Sequence, residues 1–352
     1  MAYQDLFSSF SYKNLRLNNR FVMAPMTRAK SPDGVPGQAV ADYYQRRAAA
    51  EVGLILTEGT VINRPSSKNL KDIPNFHGSE SLEGWRNVVN AVHAHGGKIA
   101  PQIWHVGNTP QGWEPPAPFE HPDSMSIDDI QQTITAFAES ARSAKALGFD
   151  ALELHGAHGY LIDQFFWQET NHRKDEYGGD TIAARNRFAV DVVKAVRAAV
   201  GEEMVIILRL SQWKGQNYAA RIASTPNDME AWVLPLAEAG VDIFHGSQRR
   251  YWEPEFEGSD LNFAGWLKKI TGQPTITVGS VGLNSDVTNA FQGKDSDVSA
   301  LDELVRRFDL GDFDLVAVGR PLLQDPEWVK KHKEARFDEL KTFEASSLGV
   351  LY

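Results

Sequence analysis

Apolar residues along this 352-residue chain cluster in short runs separated by longer stretches of mixed polarity. Residues Leu6 to Leu17 alternate apolar and polar across Lys13-Asn14, the pattern of a β-hairpin. Eight apolar runs follow: Arg20 to Thr27, Leu54 to Thr60, Lys98 to His105, the run opening at Ala151, Met204 to Ser211, Asp242 to Gln248, Pro274 to Ser280 and Asp314 to Arg320. Each is too apolar for a strand with one solvated face, so each is expected in a parallel sheet covered on its outside. The intervening stretches predict helices over 38–50, 81–95, 126–147, 181–200, 227–239, 260–270, within 299–308 and over 326–336. Ser126 and Asp129 have the spacing of a capping box, and Asp180 is the expected N-cap of the helix over 181–200. Residues 106–125, rich in Pro and Gly, carry no periodicity and are read as loop; the C-terminal tail is not assigned.

Eight strand–helix units suggest closure into a (β/α)8 barrel. An open doubly wound sheet is the rival, but no G-x-G-x-x-G follows any strand. No low-complexity segment divides the chain, so residues 1–352 are read as one α/β domain with 1–19 as a hairpin cap.

Composition narrows the function classes. A net charge of -10 argues against nucleic-acid partners and against anionic membrane surfaces. Zero cysteines exclude disulfides, thiolate zinc sites and cysteine-ligated iron–sulfur clusters. The stretch MAYQDLFSSF lacks a basic region followed by an apolar run, and no stretch has the length of a membrane span, so the cytoplasm is the expected location.

The chemistry gathers at the strand ends. The run ALELHGAHGYLIDQFF, Ala151 to Phe166, places His155, His158 and Tyr160 within six residues, interleaved with Gly156 and Gly159. A metal pair or a satisfied core histidine is the bland reading of the two histidines, but a metal would need further ligands and no Cys or third His is near. Two donors for a neutral oxygen with a proton donor beside them is the better reading. In a barrel of this kind the active face lies at the carboxyl ends of the strands, with a phosphate commonly bound after the seventh and eighth. Those ends read Gly279-Ser280 and Gly319-Arg320, glycines for backbone approach and a guanidinium for charge. The remaining ends offer Pro25, Thr27, Gly59, Gln102, Trp104 and Arg209. Arg209 has the alternative of a core ion pair. Amide, hydroxyl, indole, imidazole and guanidinium without a prominent carboxylate suit a flat heteroaromatic cofactor better than hydrolysis or aldol chemistry.

These residues resemble the Old Yellow Enzyme family of FMN-dependent ene-reductases. The motifs are APMTR (Ala24 to Arg28), QIWH (Gln102 to His105), HGAHGYLIDQF (His155 to Phe165), NHRKDEYGG (Asn171 to Gly179), RLS (Arg209 to Ser211) and VGRPLLQDP (Val318 to Pro326), spread over nearly the whole chain. The resemblance implies a TIM barrel holding FMN, with NADPH or NADH as reductant and an enone or related activated alkene as substrate. It implies hydride delivery from flavin N5 in a ping-pong cycle. It further implies that Pro25, Met26, Thr27, Gly59, Gln102 and Arg209 contact the ring and ribityl chain, and that Gly279, Ser280, Gly319 and Arg320 hold the phosphate. His155 and His158 are expected to grip the substrate carbonyl oxygen beside Trp104, and Tyr160 to donate the proton. Loop 106–125 looks shorter than in larger members, implying an open pocket; Arg249 and Arg250 follow the sixth strand near the mouth, where they are expected either to meet a 2′-phosphate of NADPH or to pair with Glu253, Glu255 and Glu257 close behind them. An FMN-dependent hydroxy-acid oxidase, a non-redox phosphate-binding barrel and a flavin binder without turnover are the competing functions. The expected assembly is a monomer or homodimer.

Overall fold

A computed structural model describes residues 3–352. The hairpin is shorter than its alternation implies. Its strands are β1 (Phe10–Tyr12) and β2 (Leu15–Leu17), turning at Lys13 with φ 46°, while Gln4–Phe7 coils into a 3-10 turn. The eight apolar runs are β3 (Phe21–Met23), β4 (Leu54–Val61), β5 (Ile99–Trp104), β6 (Ala151–His158), β7 (Val205–Lys214), β8 (Ile243–Ser247), β9 (Thr275–Val278) and β10 (Leu315–Val318). All pair in parallel and close as β10-β3-β4-β5-β6-β7-β8-β9, a (β/α)8 TIM barrel.

The first residues of the strands form the inner core. Leu54, Ala151, Val205, Ile243, Ile276 and Leu315 meet Phe10, Leu15 and Leu17 of the hairpin, which stops the amino-terminal end of the barrel. Polar ties hold the stopper in place: Tyr12 donates to Gln273 at 2.9 Å, and Lys13 pairs with Asp242 at 2.7 Å. Burying each such leucine or phenylalanine is worth roughly 1.5–3 kcal/mol, so the apolar contacts outweigh the ties. The opposite, carboxyl end stays open.

The helices cover the outer strand faces, as the periodicity predicts. The capping box is formed in full: Asp129 N–H donates to Ser126 Oγ at 3.1 Å and Ser126 N–H to Asp129 Oδ2 at 3.0 Å. The helix expected over 181–200 is instead two pieces, Ile182–Arg185 and Arg187–Val200. Its cap is Thr181, whose hydroxyl accepts from Ala184 N–H, and not Asp180. At the break, Asn186 donates its side-chain amide to the Trp232 carbonyl. Short helices Leu161–Phe166, Val287–Phe291 and Arg320–Gln324 are too brief for periodicity to announce. Among the described residues, no helix is long and apolar enough to cross a membrane.

Candidate active site

The open end holds a cavity of about 710 Å³. Its walls include Pro25, Met26, Thr27, Gln102, Trp104, Arg209, Gly279, Ser280, Gly319 and Arg320, together with His155, His158 and Tyr160. Gly59 is the exception. It lies on β4 behind Trp104, where a Cβ would sit 2.3 Å from the indole, so it makes room for that ring and does not itself line the cavity.

The turn after β6 sets the reactive wall. A bulge between Gly156 and His158 puts His158 at φ 67°, a conformation that costs a branched-free residue about 1–3 kcal/mol. Three bonds hold it: His158 N–H to Ser211 Oγ at 3.0 Å, Gly215 N–H to the His158 carbonyl at 3.0 Å, and Gly159 N–H to Asp163 Oδ2 at 2.7 Å. The two imidazole rings then sit 5.1 Å apart and nearly perpendicular, with the Tyr160 ring 4.9 Å from His155 and 4.6 Å from Trp104.

Both imidazoles are neutral. Burial holds them well below the ordinary histidine range, and Arg209 and neighbouring histidines push in the same direction. His155 Nδ1 accepts the Ala157 N–H at 3.4 Å, which puts the His155 proton on Nε2. Ser247 Oγ accepts from Arg209 Nη2 at 3.3 Å and lies 2.8 Å from His158 Nε2. A serine proton sent to Nε2 would leave His158 with its own donor at Nδ1. Burial pushes the Tyr160 phenol up to about 12, and its hydroxyl has no partner among the described residues.

At the far wall Gly279, at φ 136°, and Ser280, at φ 54°, put two unusual backbone conformations in sequence. A side chain at 279 would strike the Gln248 carbonyl at 2.5 Å, so only glycine fits. The N–H groups of residues 279, 280, 319 and 320 donate to nothing in the described chain. Arg320, fixed by the carbonyls of Ser285 and Asp286, is drawn down to about 10 by burial. Among the described residues, arginines 28, 209, 249 and 320 line the cavity and no carboxylate does, an anion-attracting mouth on an acidic protein.

Part of this site lies outside the residues that the sequence singles out. Trp213 stacks 4.5 Å from the His158 ring, and Tyr218 stacks 4.7 Å beyond it. The aromatic pair flanking Gly215 just past a strand end was the available signal. Ser247 and the cavity-lining Leu348 of the C-terminal tail offered none. Residues 108–111 of the loop after β5 form a wall, while Glu120 ties the rest down through His105 at 2.8 Å and Arg64. Arg250 is held by Glu253 at 2.8 Å and Asp286 at 2.9 Å, whereas Arg249 faces the cavity without an acidic partner among the described residues.

Residues 5–339 match the NADH:flavin oxidoreductase / NADH oxidase family. The chain belongs to this family, that of the Old Yellow Enzymes. It is 34% identical to an NADH oxidase of Thermoanaerobacter brockii across 99% of the chain, though it spans only 54% of that relative's length. It is 29% identical to 12-oxophytodienoate reductase 7 of Oryza sativa subsp. japonica, over 93% of the chain and 87% of the relative. Its fold superposes on morphinone reductase in complex with tetrahydroNAD with a TM-score of 0.77, at 28% identity, covering 97% of this chain and 93% of the other. The cofactors of an Old Yellow Enzyme, FMN and a nicotinamide reductant, follow from this membership. The cavity fits FMN on its own evidence: unpaired backbone N–H groups and Arg320 for a phosphate, and Arg209 Nε buried without a partner for an electron-rich ring edge.

Proposed function

We propose that this protein is an NAD(P)H-dependent ene-reductase that reduces the activated C=C bond of α,β-unsaturated carbonyl compounds. One observation carries the reading: two neutral imidazole donors and an unpartnered phenol share one wall of a cavity that no carboxylate lines. When bound, FMN supplies the two-electron exchange between the nicotinamide and the alkene. Gly279, Ser280, Gly319 and Arg320 would hold its phosphate, and Pro25, Met26, Thr27, Gln102 and Arg209 its ring.

Residues of β6, of the turn after it and of β5 do the rest. His155 Nε2 and His158 Nδ1 donate to the substrate carbonyl oxygen, as an oxyanion hole does, and stabilise the charge that develops there. Neutral imidazoles suit this task because they need not lose a proton to act. Tyr160 holds its proton through neutral pH and gives it to the α-carbon. Trp104 closes the side of the pocket behind His155. A hydroxy-acid oxidase needs a basic histidine, and burial beside Arg209 makes both of these poor bases. The names of two relatives, a 12-oxophytodienoate reductase and a morphinone reductase, support the same reading.

The purified protein is expected to be yellow, to bleach anaerobically on addition of NADPH, and to regain its colour with 2-cyclohexen-1-one. A colourless protein removes the cofactor, and colour that fails to return with the enone removes the ene-reductase.

A further inference from the structure

A buried acid inside the barrel has no part in the chemistry above. Glu153 lies on β6 and is fully buried, directly opposite Gln102 of β5 in the parallel register. A carboxylate in that position is costly unless donors surround it. It has two. Gln102 Nε2 donates to Glu153 Oε1 at 2.8 Å, and His245 of β8, also fully buried, donates from Nδ1 to Oε2 at 2.6 Å. His245 Nε2 is buried and has no partner among the described residues, so a second proton there would be an unsatisfied charge.

The chain of bonds has a direction. The bond from Gln102 Nε2 to Glu153 Oε1 turns the amide NH2 inward. Its carbonyl oxygen is then the end left over. That oxygen accepts nothing from the described chain, yet it is not among the buried unsatisfied atoms, and Gln102 lines the cavity. We infer that Glu153 and His245 are positioning residues that fix the polarity of the Gln102 amide, so that the cavity selects a ring edge bearing an N–H. The inference rests on the FMN reading above. The pyrimidine ring of FMN carries one N–H, between its two carbonyls, and a methyl group on that nitrogen would face a buried acceptor with nothing to accept.

The Glu153→Gln variant inverts the arrangement. His245 Nδ1–H would fix the new carbonyl oxygen, the new NH2 would face Gln102, and Gln102 would swing its own NH2 into the cavity. The test is reconstitution of the full-length protein, after release of its flavin, with FMN and with 3-methyl-FMN. Wild type is expected to prefer FMN by about tenfold or more, the size of a lost hydrogen bond at a buried acceptor. In Glu153→Gln the ratio should fall towards one. Should that chain not fold, Glu153→Leu, which leaves the Gln102 amide unguided, reads the same ratio. A merely structural role for Glu153 would weaken both flavins together and leave the ratio unchanged, which overturns the inference. Equal affinity of wild type for the two flavins overturns it as well and leaves the FMN reading standing. Binding of neither flavin removes the FMN reading itself.

Discussion

At the scale of single residues, Tyr160 separates the two halves of the proposed cycle. Bleaching by NADPH needs no proton from a phenol, so Tyr160→Phe should leave that step nearly unchanged. Recovery with 2-cyclohexen-1-one should slow by roughly 10²–10⁴-fold, the usual worth of general-acid assistance. Because burial pushes the phenol up to about 12, the wild-type recovery rate should show no fall from tyrosine ionisation up to pH 9. Anaerobic stopped-flow reads both steps, and equal enone rates in the two proteins would take Tyr160 out of the mechanism. The two arginines after β8 divide in a similar way. Arg250 is consumed by Glu253 and Asp286, while Arg249 lies 5.8 Å from the Tyr218 ring at the cavity wall. Arg249→Ala should therefore lower the NADPH-over-NADH preference by about tenfold, as loss of a charged donor to a 2′-phosphate would. Arg250→Ala should leave the preference alone. An unchanged ratio in Arg249→Ala assigns the arginine to the solvated rim.

At the scale of the element, the turn from β6 into the helix Leu161–Phe166 depends on Asp163. Its Oδ2 accepts from Gly159 N–H and from Trp167 Nε1 at 2.9 Å, while Oδ1 is buried without a partner. Burial pushes this acid up to about 8. A raised folded value means that the native protein keeps a proton which the unfolded chain has already lost at neutral pH. The stabilisation is complete below the ordinary aspartate value near 4 and drains away as pH rises towards 8. Asp163→Asn keeps the acceptor and cannot ionise, so its stability relative to wild type should improve steadily from pH 5 to pH 8. Urea unfolding at the two pH values measures this, and a constant difference would mean that Asp163 is ionised throughout. This turn also shows what a sequence discloses. Gly156 and Gly159 announced that the chain bends between two imidazoles, because glycine beside a strand end has few other uses. They did not announce that His158 itself takes the positive φ, which is fixed by Ser211 and Gly215 from β7 and its following turn. The strands were legible because a parallel strand is apolar on both faces. Glu153 and His245 were not, because each sits singly in an apolar run and their meeting depends on barrel closure. The break at Asn186 was likewise hidden, and the bond its side chain makes there is to a carbonyl on Trp232, far away in sequence.

At the scale of the whole molecule, the tail after residue 340 is bound to the first strand–helix unit and so becomes part of the cavity wall. Arg28, just past β3, donates from Nη2 to the carbonyls of Leu348 and Val350 at 2.8 Å each and of Ser347 at 3.3 Å. Its own backbone N–H is held by Glu58 Oε2 at 2.8 Å. Arg47, stacked 3.8 Å from the Tyr43 ring, donates to the Tyr352 carbonyl and to that of Leu322. Leu348, clamped between these arginines, faces the cavity. Phe343, fully buried in the main core, anchors the start of the tail, whereas the segment beyond it is tied by charged donors to bare carbonyls and should loosen when a donor is removed, while the barrel stays folded. Arg28→Ala is therefore expected to cost roughly 2–4 kcal/mol, the loss of several charge-assisted hydrogen bonds at a buried site. Hydrogen exchange should rise in residues 345–352 and stay unchanged in β6 and β7. FMN should dissociate faster from the variant, since one side of its cavity is then mobile. Arg336→Ala, which removes only exposed ion pairs to Glu334 and Glu339, should alter neither quantity. Unchanged exchange in the tail of Arg28→Ala would show that Arg47 alone suffices to hold it, and faster FMN loss without faster exchange would place the effect of Arg28 in the cavity and not in the tail.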